Sequence, residues 1–194
     1  LGGPRGGLGY DIRIHPINND ILWVTDANVG VQKSENGGKN WFATNLGIDT
    51  RAGTSGDSIP IFSLAVSPIN PDVIWAGAKG SLGLYKSEDG GNTWIAKENG
   101  IIRQDEMEFR GIAFDPNNAN IIYCGGNYLA DWPSDKQSQR GFIYKSIDGG
   151  ENWNLLIEPD ALVRWIIVDY TNSNILYAST GIFDRRAVEA EGVL

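Results

Sequence analysis

The amino-acid sequence predicts an all-β fold, a β-propeller of four-stranded antiparallel blades with about three and a half blades present. Three observations predict it. An eight-residue segment occurs three times, a second segment precedes each copy, and short β-branched or aromatic runs alternate with Gly, Pro and Asn. The 194 residues include 25 Gly and 7 Trp, a composition typical of many short strands joined by turns.

The eight-residue segment carries a serine, a pair of glycines and a final tryptophan. Its copies begin at Ser34, Ser87 and Ser146, so they lie about 50–60 residues apart, which is the spacing of a repeat architecture. A β-helix needs a far shorter repeat, and helical periodicity never extends beyond a few residues. The repeat therefore favours four-stranded propeller blades.

The second segment predicts the turn between strands A and B of each blade. It lies at 15–18, 67–70, 115–118 and 169–172, and Tyr170 replaces the proline in the last copy. In the second repeat we predict strand A at 62–66, B at 73–77, C at 83–87 and D from Trp94 onward. The predicted blades occupy about 9–45, 60–97, 108–157 and, in part, 162–194.

The eight-residue segment is predicted to close the turn between strands C and D. Its glycines permit positive φ angles, and its Asp or Asn side chain can accept hydrogen bonds from amides across the turn. Metal binding is not favoured, because Asn36 stands where the other copies have a carboxylate. The residues with this structural role are Ser34, Asn36, Gly38, Trp41, Ser87, Asp89, Gly91, Trp94, Ser146, Asp148, Gly150 and Trp153.

Composition and charge exclude several classes of function. The net charge of −8 argues against a nucleic-acid partner, which requires clustered Lys and Arg. Apolar runs are too short for a membrane span. The single cysteine, Cys124, lies in an apolar run and is expected to be buried. The single histidine, His15, has no partner in sequence for a metal site or a triad, so we predict neither metal nor cofactor.

The eight-residue segment resembles the Asp box of the bacterial neuraminidase repeat, Ser-x-Asp-x-Gly-x-Thr-Trp. The second copy matches every position, from Ser87 and Asp89 through Thr93 to Trp94. The resemblance covers essentially the whole chain and implies a propeller. Similar propellers occur in sialidases, xyloglucan-degrading glycoside hydrolases, sortilin-like receptors and photosystem assembly factors, so the resemblance does not specify an activity.

A sialidase would require three arginines that grip the substrate carboxylate. The predicted A strands carry Arg13, Arg110 and Arg164. Arg110 and Arg164 occupy similar positions, whereas Arg13 is displaced along its strand. We therefore cannot map the arginine triad of the sialidase family onto this sequence.

The xyloglucan-degrading enzymes offer an alternative. Thr25 and Asp26, at the end of strand B in the first blade, resemble the segment that carries the N-terminal catalytic Asp of those enzymes, although 27–29 depart from its glycine-rich continuation. Inverting hydrolysis needs two carboxylates about 6.5–9.5 Å apart, and the family's partner acid lies in a second propeller. Asp26 is either this catalytic carboxylate, acting as the base, or a cap of its own turn.

The longer loops are expected at the end of the blades opposite the Asp boxes, where a rigid scaffold places ligand-binding segments. Segment 126–141 is the strongest candidate because it inserts Tyr128, Asp131 and Trp132. An exposed tryptophan beside carboxylates suits stacking against the apolar face of a sugar. It can equally anchor the loop to its own scaffold.

The favoured function is a non-catalytic scaffold outside the cytoplasm, extracellular or periplasmic, that recognises a glycan or a protein through this loop face. The alternative is a fragment of a glycoside hydrolase that uses Asp26. Residues 192–194 resemble the beginning of a strand C, so we expect the natural polypeptide to continue, and its remaining blades to be partners of these ones.

Overall fold

The computed structural model describes residues 9–26, 28–80, 83–130, 138–180 and 192–193. The chain divides into two compact units, Leu1–Lys97 and Glu98–Leu194. Each unit holds two antiparallel sheets, and within each sheet the strands lie side by side in sequence order. None of the described residues belongs to a helix that could cross a membrane.

The first unit contains two four-stranded sheets. The first sheet consists of β1 (Gly9–Ile14), β2 (Leu22–Asp26), β3 (Gly30–Ser34) and β4 (Phe42–Ala43). The second sheet consists of β5 (Ile61–Val66), β6 (Ile74–Ala78), β7 (Leu84–Ser87) and β8 (Ile95–Ala96). The bounds of the second sheet differ from the predicted ones by about one residue, a normal uncertainty at strand ends.

The second unit contains one four-stranded and one three-stranded sheet. The third sheet consists of β9 (Glu108–Asp115), β10 (Asn118–Ala130), β11 (Ser138–Ser146) and β12 (Asn154–Ile157). The fourth consists of β13 (Val163–Val168), β14 (Leu176–Thr180) and β15 (Gly192–Val193). β15 pairs with the end of β14, which is where the sequence predicts a strand C.

All four sheets share one register. In each sheet, strand B carries a large aromatic residue that lies opposite the fifth or sixth residue of strand A. These aromatic residues are Trp23, Trp75, Tyr123 and Tyr177. A register shift occurs near the start of every strand A, so each first strand is bent at the same place.

The cores lie between sheets of the same unit. In the first unit Trp23, Leu64, Ile74 and Tyr85 belong to one buried cluster. In the second unit Tyr123 packs in a cluster with residues of the fourth sheet, such as Ile166. Aromatic and branched side chains dominate both clusters because they fill the space between pleated surfaces well.

The third sheet differs from the sequence-based expectation. Segment 126–141 was expected to be a loop, yet β10 continues to Ala130 and β11 begins at Ser138, so both ends of the segment are strand. Asn127 pairs with Glu108 on one side and with Gly141 on the other. Satisfied backbone hydrogen bonds on both sides favour strand over loop.

Candidate functional site

The order of strands gives every complete sheet two distinct ends. Turns A–B and C–D lie at one end, which we call the box end. Connections B–C and D–A lie at the other, which we call the loop end. Each predicted site residue that the structure describes belongs to one of these two ends.

At the box end, each repeated segment closes its own turn with hydrogen bonds. In the second sheet the Ser87 Oγ accepts the Gly91 amide at 2.9 Å and donates to Asp89 Oδ1 at 2.8 Å. Asp89 in turn accepts the Thr93 amide at 2.9 Å and the Thr93 hydroxyl at 2.6 Å. The carboxylate is thereby occupied by its own turn.

The other two boxes repeat this pattern with different side chains. Ser34 Oγ accepts the Gly38 amide at 2.9 Å, and Asn36 Oδ1 accepts the Asn40 amide at 2.9 Å. In the third box, hydrogen bonds from Asn152 lower the pKa of Asp148 to about 2. Within the described ranges, no group of three or more His, Cys, Asp or Glu side chains could hold a metal ion.

The paired glycines of the boxes adopt the left-handed conformation. Their φ angles range from 67° to 86°, which side chains other than glycine rarely tolerate. The first amide of each pair also donates to the A–B turn of the same sheet, as Gly90 does to the Asp72 carbonyl at 2.9 Å. Turns C–D and A–B are thus joined at the box end.

The box tryptophans connect a sheet to the linker that precedes it. The Trp94 amide donates to the Leu46 carbonyl at 2.9 Å, and its indole donates to the Thr44 carbonyl at 2.7 Å. The Trp153 amide donates to the Asn99 carbonyl at 2.8 Å. Trp41 is different, because its indole donates to Gly38 of its own turn at 3.0 Å.

At the loop end of the first sheet, Asp26 caps the turn that follows it. Asp26 Oδ1 accepts the amides of Asn28 at 2.7 Å and Val29 at 3.3 Å, and the residue is only 5% exposed. Such bonds are those of an Asx turn. Asp26 therefore has the contacts of the structural alternative, while its role in catalysis stays a hypothesis.

The loop end of the third sheet brings several polar groups together. Tyr128 is 7% exposed and its hydroxyl donates to Glu158 Oε1 at 3.1 Å. Burial, followed by the hydrogen bond and charge of Glu158, raises the pKa of Tyr128. Glu158 directly follows β12, and the sequence offered no repeat or motif that identified it. Asp131 and Trp132 lie outside the described residues.

A buried acid–base pair lies opposite Asn127 in the same sheet. Glu108 Oε2 accepts a hydrogen bond from the Arg110 Nε at 2.8 Å, and both side chains are largely buried. Asn127 pairs with Glu108 in the sheet, and its Oδ1 is buried with no hydrogen-bond partner among the described residues. A buried acceptor without a partner costs about 1–3 kcal/mol, unless a ligand or water supplies the donor. We call Glu108, Arg110, Asn127, Tyr128 and Glu158 the loop-end cluster.

The arginines of the A strands differ in their position along the strand. Arg110 and Arg164 occupy equivalent positions at the start of their strands, before Gly111 and Trp165, which face equivalent residues of strand B. Arg13 lies opposite Trp23 instead. Its Nε donates to the Leu64 carbonyl at 2.8 Å, and its Nη2 bonds to Asp11 at 3.0 Å. Arg13 therefore ties strands together.

The single cysteine and the single histidine of the sequence both make structural contacts. Cys124 is completely buried, and burial raises the pKa of its thiol well above the usual value. His15 Nδ1 accepts the amides of Ile17 at 3.1 Å and Asn18 at 3.0 Å. The histidine thus closes its own A–B turn.

No family profile matches the chain, and no curated protein matches it. Solved structures do. An ancestral GH74 enzyme is 23% identical with a TM-score of 0.67, over 90% of this chain and 22% of that one. YCF48 bound to a D1 peptide is 15% identical with a TM-score of 0.58, over 93% of this chain and 50% of that one. A GH74 xyloglucanase from Xanthomonas campestris is 15% identical with a TM-score of 0.43, over 91% of this chain and 37% of that one.

These similarities concern the fold. The similar structures are β-propeller proteins, and the predicted all-β fold of antiparallel propeller blades is confirmed. Identities below 25% do not carry an activity from one propeller to another, and the Xanthomonas similarity is too weak for any argument. The chain spans 22% of the ancestral GH74 enzyme and 50% of YCF48.

Proposed function

We propose that this chain belongs to a non-catalytic binding scaffold of the Asp-box type, which recognises a glycan or a protein at its loop end. The observation that carries the proposal is the extended β10–β11 hairpin. β10 continues to Ala130, seven residues past Tyr123, whereas β2 and β6 end three residues past the equivalent Trp23 and Trp75. A hairpin whose strands extend past those of the neighbouring sheets is a suitable support for recognition residues.

The chemistry of the loop-end cluster supports a polar ligand. Asn127 Oδ1 is a buried acceptor that has no partner in the described part of the chain, so a ligand hydroxyl or amide can satisfy it. Glu158 is exposed and oriented by Tyr128. Sugars and extended peptides both present such donors beside apolar surface, and YCF48 has been seen with a bound peptide. Trp132, which follows β10 by two positions in the sequence, is the proposed stacking residue.

The first test measures binding by the chain to two probes. Isothermal titration with xyloglucan oligosaccharides tests the glycan, and an array of extended peptides tests the protein ligand. For whichever probe binds, we expect Trp132→Ala and Tyr128→Phe to weaken binding, the first by at least about tenfold, because stacking and one buried hydrogen bond are lost.

The matched control is Tyr170→Ala, at the box end of the second unit, where the side chain is 81% exposed. Its affinity should equal that of the unchanged chain. If Tyr170→Ala reduces affinity as much as Trp132→Ala does, binding is not localised to the loop end. If neither probe binds, the scaffold proposal fails for these ligand classes.

The second candidate function is a glycoside hydrolase that uses Asp26. It is favoured by the resemblance of Thr25 and Asp26 to the catalytic segment of xyloglucan-degrading enzymes. It requires a second carboxylate that approaches the scissile bond from the other side. Against it, Asp26 Oδ1 already accepts two amides of its own turn.

Release of reducing sugar from xyloglucan separates the two candidates. A hydrolase predicts turnover that is abolished in Asp26→Asn and retained in Asp57→Asn, an exposed control in the same unit. The scaffold predicts no turnover in any of the three chains. Turnover that survives Asp26→Asn would reject Asp26 as a catalytic carboxylate.

The location proposed for this scaffold is extracellular or periplasmic, as for sortilin-like receptors and secreted glycan-binding propellers. The proposal rests on the resemblance and on the glycan hypothesis. Fractionation of the source cells, followed by immunodetection, would test it. Detection of the protein in the cytoplasm alone would contradict it.

A further inference from the structure

The sequence contains the tripeptide Glu-Asn-Gly twice, once in a box and once in a linker. The box copy occupies residues 35–37 and the linker copy occupies residues 98–100. An asparagine that precedes glycine is open to attack on its side-chain amide by the glycine nitrogen, because glycine has no Cβ to hinder the approach. The two copies are identical in sequence, so a difference in their reactivity must come from the fold.

In the box copy, the fold holds both the glycine amide and the asparagine side chain. The Gly37 amide donates to the Asp20 carbonyl at 2.9 Å. Asn36 Oδ1 accepts the Asn40 amide at 2.9 Å and the Ser34 hydroxyl at 3.2 Å. Attack of the glycine nitrogen on the side chain of Asn36 therefore requires these three hydrogen bonds to break, which opens the turn of the first box.

In the linker copy, the glycine amide is open to water. The Ile101 amide donates to the Glu98 carbonyl at 3.0 Å and closes a turn around the Asn-Gly pair. The Gly100 φ angle of 91° suits the third residue of a type II turn, whose amide takes no part in the closing bond. That amide donates to no acceptor in the described part of the chain, and the pair is exposed. Asn99 Nδ2 donates to Asn152 Oδ1 at 2.5 Å, a bond between exposed groups.

We propose that Asn99 is a site of non-enzymatic deamidation, and that the first box protects Asn36 from the same reaction. The Gly100 nitrogen gives its proton to a base in the solvent and bonds to Asn99 Cγ, while the Cγ–Nδ2 bond breaks and Nδ2 leaves as ammonia. Water then adds to either carbonyl of the cyclic imide and breaks its bond to the ring nitrogen, which yields aspartate or isoaspartate. The reaction consumes water and releases ammonia. The inference does not depend on the proposed ligand binding.

The product at position 99 changes the contact between the linker and the third box. Asn152 bridges the two, since its Oδ1 accepts Asn99 Nδ2 and its Nδ2 donates to Asp148 Oδ2 at 2.8 Å. A carboxylate at position 99 faces an acceptor, and turning the Asn152 amide breaks the bond to Asp148. Isoaspartate also adds a methylene to the main chain beside the carbonyl that accepts the Trp153 amide at 2.8 Å. Deamidation therefore loosens the linker from the third box.

The first experiment follows deamidation of the folded chain at mildly alkaline pH, by mass spectrometry of peptides digested at acid pH. We expect Asn99 to react at least about tenfold faster than Asn36, because attack at Asn36 must break more hydrogen bonds. In concentrated urea the two rates should converge, since the tripeptide is the same. Equal rates in the folded chain would overturn the proposal, as would a difference that persists in urea or the absence of product at Asn99 in the folded chain.

The second experiment tests the effect on the third box with two variants. In the first unit Leu46 stands at the position equivalent to Asn99, because its carbonyl accepts the Trp94 amide at 2.9 Å and Gly47 follows it with a φ angle of 91°. Asn99→Leu therefore keeps the turn and removes the reactive amide, whereas Asn99→Asp reproduces one product. Urea unfolding should give a lower midpoint for Asn99→Asp than for Asn99→Leu. Equal midpoints would overturn the predicted loosening of the linker from the third box.

Discussion

The box of the first sheet and the box of the second sheet have nearly the same turn but different tryptophan contacts. Both turns are closed by a serine and an Asx side chain, and both use left-handed glycines. Trp94 reaches out of its turn to Thr44 and Leu46, whereas Trp41 bonds within its own turn. The Ser–Asx part of the motif therefore makes the turn, and the tryptophan fastens that turn to a preceding linker.

The linker that receives Trp94 should be the most sensitive part of this arrangement. Gly47 has a φ angle of 91°, and a Cβ there would overlap the Trp94 carbonyl oxygen. We expect Gly47→Ala to lower the free energy of unfolding by about 3 kcal/mol or more, from a strained backbone together with a backbone overlap. Urea denaturation followed by tryptophan fluorescence measures it.

Gly56→Ala is the matched control for this change. Gly56 also has a positive φ angle, 68°, but a Cβ there would meet open space. It should cost only about 1 kcal/mol, the conformational part. Equal losses at the two glycines would mean that the close contact with Trp94 contributes nothing.

The two tryptophans should differ when each loses its indole N–H. Trp94→Phe removes a buried bond and leaves the Thr44 carbonyl without that donor, so we expect a loss of about 1–3 kcal/mol. Trp41→Phe removes a half-buried bond within a turn and should cost less than about 1 kcal/mol. Thermal or urea unfolding of both variants compares them directly. A larger loss at Trp41 would reverse the assignment of the fastening role.

The smallest expected effect concerns the carboxylate of Asp89 in the second box. Hydrogen bonds from Thr93 and Ser87 outweigh the effect of burial and lower the pKa of Asp89. A lowered pKa in the folded state stabilises the protein above the ordinary pKa of Asp, and this stabilisation is lost as the pH falls through the folded-state pKa. Asp89→Asn should therefore weaken the acid dependence of unfolding below about pH 4.

The reciprocal change uses the first box. Asn36→Asp places a carboxylate where Asn36 Oδ1 accepts the Asn40 amide, so it should introduce acid dependence in the same pH range. Unfolding midpoints measured from pH 2 to pH 6 test both variants. Identical pH profiles for Asp89→Asn and the unchanged chain would show that the carboxylate is not needed as an ion.

The sequence predicted the repeat well because a tight turn has strict local requirements. Ser87, Asp89 and Gly91 contact one another within a few residues, so their spacing alone indicates the turn. The phase of the boxes also placed the loop end correctly within each sheet. These features depend on neighbours in sequence, and a single sequence contains that information.

Contacts between segments that are distant in sequence could not be predicted from local patterns. The continuation of β10 to Ala130 depends on pairing with two other strands. The bond from Tyr128 to Glu158 joins residues 30 positions apart, and the linker contacts of Trp94 span about as far as one repeat. No local pattern specifies which carbonyl an indole will reach.

Indole hydrogen exchange shows whether the box tryptophan fastens a sheet to the preceding linker. Amide and indole exchange of the unchanged chain can be followed by NMR at one pH and temperature. The Trp94 indole N–H is buried and bonded to Thr44, so it should exchange much more slowly than that of Trp41, which bonds inside a half-buried turn. Equal exchange rates for the two indoles, or faster exchange at Trp94, would mean that Trp94 does not fasten its sheet to the linker.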